Sequence, residues 1–224
     1  MVSVAIMSEF VFSQLSAGNF ILASSSAART KILCDAGVAH DCLPVAIDEE
    51  SLRNAAEAEN FSAADIAVLL AETKARAAAQ KLDANQLDRP PYILGCDQVL
   101  LFENGIISKP SSVLAARKQL LSLAGNTHQL LSAAVLIRGD DRIWHHLAAA
   151  QITMRRFSEK FVDHYLAALG EAAFSTPASY QIEGLGAQLL ERIDGCHYSI
   201  LGLPLLELLA FLREHGLCPV GDLA

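Results

Sequence analysis

Apolar and polar positions along this chain switch between two periods, and the switches fall at turn or capping residues. In "NFILASSSAARTKILCDAG" the apolar run 20–23 stops at three serines, which predicts a short strand followed by a helix over about 27–36 that ends near Gly37. "HDCLPVAIDEES" predicts an extended piece over 40–51 that finishes in Asp48-Glu49-Glu50. Ser62, with Asp65 three residues on, predicts the capped start of an alanine-rich helix over about 62–81, which "DANQLDRPP" ends. "YILGCDQVLLF", 92–102, predicts a central strand, and "SKPSS" announces a helix over about 112–123. The stretch from His128 to Phe157 predicts a long hairpin turning at Gly139-Asp140-Asp141. A helix over about 158–168, two short strands broken by glycine in "SYQIEGLGAQLLERIDG", and a last helix from Pro204 to Gly216 complete the pattern. Helices alternate with strands except at the hairpin, so the expected fold class is α/β: one domain with a mixed, twisted sheet flanked by helices, and two lobes around a cleft.

Composition narrows the function classes. The chain has 224 residues, is 52% hydrophobic and 19% charged, and so can bury a sizeable core. A net charge of −8 argues against sequence-independent binding to nucleic acid, while leaving room for a small phosphorylated ligand held by a few placed cations. No apolar run reaches the roughly 20 residues that span a bilayer. The N-terminal stretch lacks a basic region and carries Glu9, so it reads as an extension and not a signal peptide. Five widely spaced cysteines with no C-x-x-C pair predict buried, reduced thiols and a cytoplasmic protein.

Candidate chemistry gathers at a few places. Asp97 is a carboxylate inside an apolar strand, costly to bury unless it is paired, metal-bound or open to a cleft. In a regular strand its neighbour Gln98 points to the other face, so both serve one site only if the strand bends or ends, which Gly95 would permit. Ser24, Ser26 and Arg29 stand where a strand hands over to a helix, a junction that suits an anion, although serine is also a favoured N-cap. Lys74 on a helix and Lys109 beside Pro110 are unremarkable taken singly. Gln181 and Glu183 lie two apart, as on one strand face, and Gly184 and Gly186 allow close backbone approach. The Glu183 carboxylate offers two acceptors that match the N1–H and N2–H₂ donors of guanine. The histidines show no ligand spacing, and no P-loop, dinucleotide fingerprint or G-x-S-x-G elbow occurs.

In order, "LASSSAARTKIL", "IDEE", "LLAETKA", "LGCDQVL", "SKP", "SYQIEGLGAQLLERIDG" and "ILGLPL" resemble the Maf family of nucleoside triphosphate pyrophosphatases, once described as septum formation inhibitors. The resemblance runs from about residue 20 to 215, which sets 1–19 as an N-terminal extension, 20–216 as a Maf-like domain and 217–224 as a short tail. The family's first motif, L-A-S-x-S-P-R-R, has Trp in place of its first Arg in one subgroup; here Ser24, Ser26 and Arg29 match, while Ala27 and Ala28 depart from it. The resemblance implies hydrolysis between the α- and β-phosphates to a monophosphate and pyrophosphate, in a house-cleaning role. It assigns Ser24, Ser26, Arg29, Lys74 and Lys109 to the phosphates, Asp97 to proton acceptance, and Glu49 with Asp97 to Mg²⁺ or Mn²⁺. Three positions look tied to base preference: Arg, Thr, Gln in the dTTP/UTP type and Trp, Gln, Glu in the 7-methyl-GTP type. This chain has Ala28, Gln98 and Glu183, so 7-methyl-GTP or another modified purine is the expected substrate, a pyrimidine triphosphate the alternative, and a homodimer the expected assembly. A rival from another class is a nucleotide-binding regulator of cell division without catalysis.

Overall fold

Tyr92–Phe102, apolar almost throughout, forms the strand on which the architecture is built. The computed structural model describes residues 19–82 and 90–218; the predicted N-terminal extension, most of "DANQLDRPP" and the end of the tail lie outside the described residues. In chain order the elements are β1 (Phe20–Leu22), α1 (Ala27–Asp35), β2 (Asp41–Cys42), α2 (Glu49–Ala58), α3 (Ala63–Ala79), β3 (Tyr92–Phe102), β4 (Gly105–Ile107), α4 (Val113–Leu123), β5 (Thr127–Arg138), β6 (Asp141–Met154), α5 (Glu159–Leu169), β7 (Leu190–Asp194), α6 (His197–Ile200) and α7 (Leu205–Glu214). The expected capping box is present, with Ser62 and Asp65 each satisfying a backbone N–H of the other.

Two expectations need correction. Of the extended piece over 40–51 only Asp41–Cys42 pairs as a strand; Asp48 instead caps α2, accepting from the Ser51 N–H, and Glu49 and Glu50 fill its first turn. That is a helix-start pattern, since acidic groups favour the positive helix end. "SYQIEGLGAQLLERIDG" supplies one strand and not two: 3₁₀ turns at Pro177–Ser179 and Leu185–Leu189 occupy the rest, and only Leu190–Asp194 joins the sheet.

The sheet is mixed, as expected, in the order β2-β1-β3-β5-β6-β7, with β4 also on β3. β1 runs parallel to β2 and β3, and every other pairing is antiparallel. β5 pairs with β3 along one edge from Tyr92 to Leu101. On the other edge β1 covers Tyr92 to Leu94 and β4 covers Leu100 to Phe102. Between them, from Gly95 to Val99, that edge of β3 has no strand beside it among the described residues.

Each face of the sheet is covered. A stripe of small residues on α3, Ala67, Ala71, Ala75 and Ala78, packs on Ile93, Val99, Val135 and Ile137. On the opposite face α1 and α7 cover Leu94 and Leu136, while α4 and α5 cover Leu100 and Ile152. The spacing between α3 and β3 is set at Gly95, where a Cβ would lie 2.0 Å from the Ala71 carbonyl oxygen and 2.9 Å from the Ala75 nitrogen. Gly95 therefore serves helix-on-strand contact and does not bend the strand. Because backbone atoms cannot step aside, Gly95→Ala is expected to destabilise the fold by about 3 kcal/mol. Urea denaturation measures this, and a loss well below 1 kcal/mol would show that α3 is free to shift.

Candidate active site

The open edge of β3 forms the floor of a cleft of about 920 Å³, walled by the β1–α1 junction, α2, α3, the β4 segment and the loop over 175–183. Asp97 and Gln98 do point to opposite faces of β3. Both line the cleft because it crosses the uncovered edge, so the strand has no need to end there.

On the α3 face, Lys74 stands between two carboxylates. Its ammonium donates to Asp97 Oδ1 at 2.6 Å and lies 2.7 Å from Glu49 Oε1. Lys74 and Asp97 side chains are 13% and 7% exposed, whereas that of Glu49 is half-exposed. Burial alone would lower the pKa of Lys74, but Asp97 and Glu49 outweigh it and hold the ammonium above its ordinary 10.5. Partial burial would likewise raise Glu49, but Lys74, and beyond it Lys109 and Arg29, keep that carboxyl below its ordinary 4.5. Lys74 is thus a half-buried, doubly paired cation and not a solvated helix residue.

Arg29 is more committed to the protein than expected. Its Nε donates to the Gly202 carbonyl at 2.9 Å, and Nη1 donates to the Cys96 carbonyl at 2.9 Å and to Ser24 Oγ at 3.2 Å. The Cys96 carbonyl belongs to the uncovered edge of β3, so Arg29 satisfies a backbone acceptor that no strand reaches. Only Nη2 is left with its donors free for a ligand. Ser26 caps α1 by accepting from the Arg29 N–H, which is the capping alternative, and Ser24 Oγ also accepts from the Ser26 N–H. Both serines nevertheless line the cleft beside the exposed Ser25 and the helix N-terminus. Lys109, exposed, and Arg53, half-buried on α2, line the same cleft with no hydrogen bond or salt bridge among the described residues. Sequence reasoning passed over Arg53. Its position one turn after Glu49 was the available signal, since Glu49 belongs to the cleft.

The three positions expected to set base preference, Ala28, Gln98 and Glu183, also line the cleft. The Gln98 amide nitrogen donates to Ser132 Oγ at 2.7 Å and to the Ile200 and Ser199 carbonyls at 3.0 and 3.1 Å. Carbonyl acceptors fix the orientation of the amide, and its Oε1 is left without a protein donor. Glu183 is exposed in a turn, not on a strand face with Gln181 as expected. The reason is that the chain doubles back: a Cβ on Gly186 would lie 2.4 Å from the Gln181 carbonyl oxygen. Ala28, half-buried at the start of α1, leaves that wall without a large side chain. Just upstream, Ala178 and Ser179 both adopt left-handed φ, 55° and 54°, which costs about 1 kcal/mol or more each without glycine.

Among the described residues no group of three or more His, Cys, Asp or Glu side chains forms a metal cluster, and no helix is long and apolar enough to cross a membrane. Cys34, Cys42, Cys96 and Cys196 form no disulfide among the described residues; Cys96 is buried as expected, whereas Cys34 and Cys42 are exposed.

Comparison with known proteins places this geometry. The family model described as Maf-like protein matches residues 19–215. The chain belongs to the Maf-like family. It is 44% identical over 197 residues to a nucleoside triphosphate pyrophosphatase of Paramagnetospirillum magneticum, covering 88% of this chain and 98% of that protein. A 7-methyl-GTP pyrophosphatase of Rhizobium meliloti is 41% identical over 196 residues, 88% of this chain and 96% of the relative. A nucleoside triphosphate pyrophosphatase of Rhodospirillum rubrum is 42% identical over 197 residues, 88% of this chain and 94% of the relative. These Maf-like relatives match nearly end to end, so the cleft belongs to the shared domain.

Removing Lys74 leaves a buried carboxylate without its cation, so Lys74→Met is expected to cost about 3 kcal/mol, and adding Asp97→Asn should restore much of it. The loss has a defined pH window. The contribution of Lys74, whose pKa is raised, is complete below 10.5 and fades as pH rises through the folded value; that of Glu49, whose pKa is lowered, is complete above 4.5 and fades as pH falls through its folded value. Denaturation of wild type and Lys74→Met against pH should show a constant gap between those limits that narrows outside them.

Proposed function

We propose that this chain hydrolyses nucleoside triphosphates to a nucleoside monophosphate and pyrophosphate, with a guanine-type, 7-methylated or otherwise modified purine as the preferred base. The observation that carries the reading is the Asp97–Lys74–Glu49 group at the uncovered edge of β3, inside a cleft that Lys109 and Arg53 line with no hydrogen bond or salt bridge among the described residues. Lys109 and Arg53, with Arg29 Nη2 and the N-terminus of α1, offer charge and donors to the phosphates without first giving up a protein partner. Lys74 donates to Asp97 Oδ1, and the Asp97 carboxylate orients the attacking water and takes its proton. On the base side, Gln98 Oε1 and the Glu183 carboxylate both present acceptors, the complement of the donor-bearing edge of guanine. The names of two relatives, nucleoside triphosphate pyrophosphatase and 7-methyl-GTP pyrophosphatase, support the same reaction and base class.

The donor set also fits a divalent cation. Glu49 and Asp97 approach one common positive centre, and Mg²⁺ or Mn²⁺ commonly takes one or two carboxylates and completes its shell with phosphate oxygens and water. Glu49 and Asp97 would hold it, and bound there it neutralises charge on the departing pyrophosphate.

A pyrophosphate-release assay across canonical and modified triphosphates, with Mg²⁺ or Mn²⁺, tests the reading. Asp97→Asn is expected to lower kcat by at least 100-fold, and Glu183→Gln to erode the purine preference. Preference for dTTP or UTP would retain the reaction and overturn the base assignment. Absence of hydrolysis with every triphosphate would overturn the reaction itself.

A further inference from the structure

One buried polar pair takes no part in the chemistry above. His128 on β5 is 3% exposed and Tyr180 is 6% exposed, and Nε2 of the first lies 2.7 Å from the hydroxyl of the second. His128 Nδ1 is buried and has no hydrogen-bond partner among the described residues. Burial pushes the imidazole pKa down to about 4, so the ring is neutral near pH 7. A neutral imidazole and a phenol bring two polar hydrogens to one hydrogen bond, and whichever group donates, one hydrogen stays without an acceptor. For packing alone, two apolar side chains would serve as well, because removing both partners of such a pair is close to neutral.

What the pair does follows from where Tyr180 stands. It lines the cleft, precedes Gln181, and is three residues before Glu183. The segment leading to it carries the two left-handed residues Ala178 and Ser179, a backbone shape that persists only when its surroundings impose it. Three side-chain bonds do so: Tyr165 donates to the Ser179 carbonyl at 2.9 Å, Thr176 donates to the Tyr180 carbonyl at 2.9 Å, and His128 holds the Tyr180 hydroxyl. Of these, the His128 bond alone ties the segment to the central sheet. On β5, His128 shares a face with Ser132, the residue that accepts from Gln98. Four residues of extended strand separate them, about 13 Å. One rigid strand therefore sets the position of Gln98 through Ser132 and of the Glu183 turn through His128.

We propose that the His128–Tyr180 bond is a lock that positions the base-side wall of the cleft against Gln98 and so sets discrimination among nucleobases. Both are positioning residues. The proposal rests on the reading of this cleft as a nucleotide site, and the test separates the two. Values of kcat/KM for 7-methyl-GTP, GTP and UTP would be measured for wild type, Tyr180→Phe, the double variant His128→Leu/Tyr180→Phe, and Glu183→Gln. Thermal midpoints and amide exchange over 175–184 would be read alongside. Both lock variants are expected to lose tenfold or more of the purine-to-pyrimidine ratio, mainly through KM, with faster exchange confined to 175–184. The double variant is expected to keep a near-native midpoint, a combination that a purely structural pair would not give. An unchanged ratio in Tyr180→Phe, or exchange that rises across the whole sheet, overturns the lock. If the ratio survives in the lock variants but falls in Glu183→Gln, the lock fails and the base reading stands. If it falls in the lock variants but survives in Glu183→Gln, the lock stands and Glu183 is not the reader.

Discussion

The ammonium of Lys74 between Asp97 and Glu49 is the interaction on which the rest of this structure turns. A carboxylate in the middle of a central strand is tolerable only with a cation beside it, and that cation must come from the helix packed on the same face. α3 can bring it close enough because its contact stripe is alanine and because β3 has glycine at position 95. Packing, register and charge are therefore one constraint. The contact that lays α3 on the sheet also delivers Lys74 to Asp97, and it fixes where α2 must start for Glu49 to reach the same ammonium.

The second constraint is topological. β1 leaves β3 after Leu94 and β4 joins at Leu100, so backbone groups between them lack strand partners on that edge. Arg29 satisfies one of them, at Cys96, and the space beside the others becomes the cleft. A gap in the middle of a strand edge lets residues on both faces line one site. Here Asp97, Lys74 and Glu49 lie on the α3 side, and the neutral amide of Gln98 lies on the other, held by Ser132 and the α6 carbonyls. The function proposed for this cleft thus divides phosphate chemistry and base recognition between the two faces of β3.

Much of this was legible in the sequence, for reasons that differ by residue. β3, the 127–154 hairpin and α3 carry strong periodicity and clear caps, so their bounds were read to within a few residues. Asp97 was legible because a carboxylate inside an apolar strand demands an explanation. The pairing of Lys74 was not, since a lysine in "ETKARA" looks like any solvated helix residue until a strand lies against it. The first residues of α2, 49–51, were read as the end of an extended piece, although Asp48 followed by two glutamates is a helix-start signal. The 175–189 segment was least legible, because its apolar alternation imitates a strand while left-handed residues and Gly186 turn it back on itself. The pairing of His128 was illegible for a related reason: Tyr180 lies 52 residues away.

The central claim is that water oriented by Asp97 attacks the α-phosphorus of a nucleotide whose base lies toward Gln98 and whose phosphate tail runs toward the cations. The most direct measurement is hydrolysis of a good substrate in ¹⁸O-labelled water, with the products resolved by ³¹P NMR. The account predicts label in the nucleoside monophosphate and none in the pyrophosphate. Label in pyrophosphate, or release of inorganic phosphate as the first product, would place the attack at another phosphorus and contradict it.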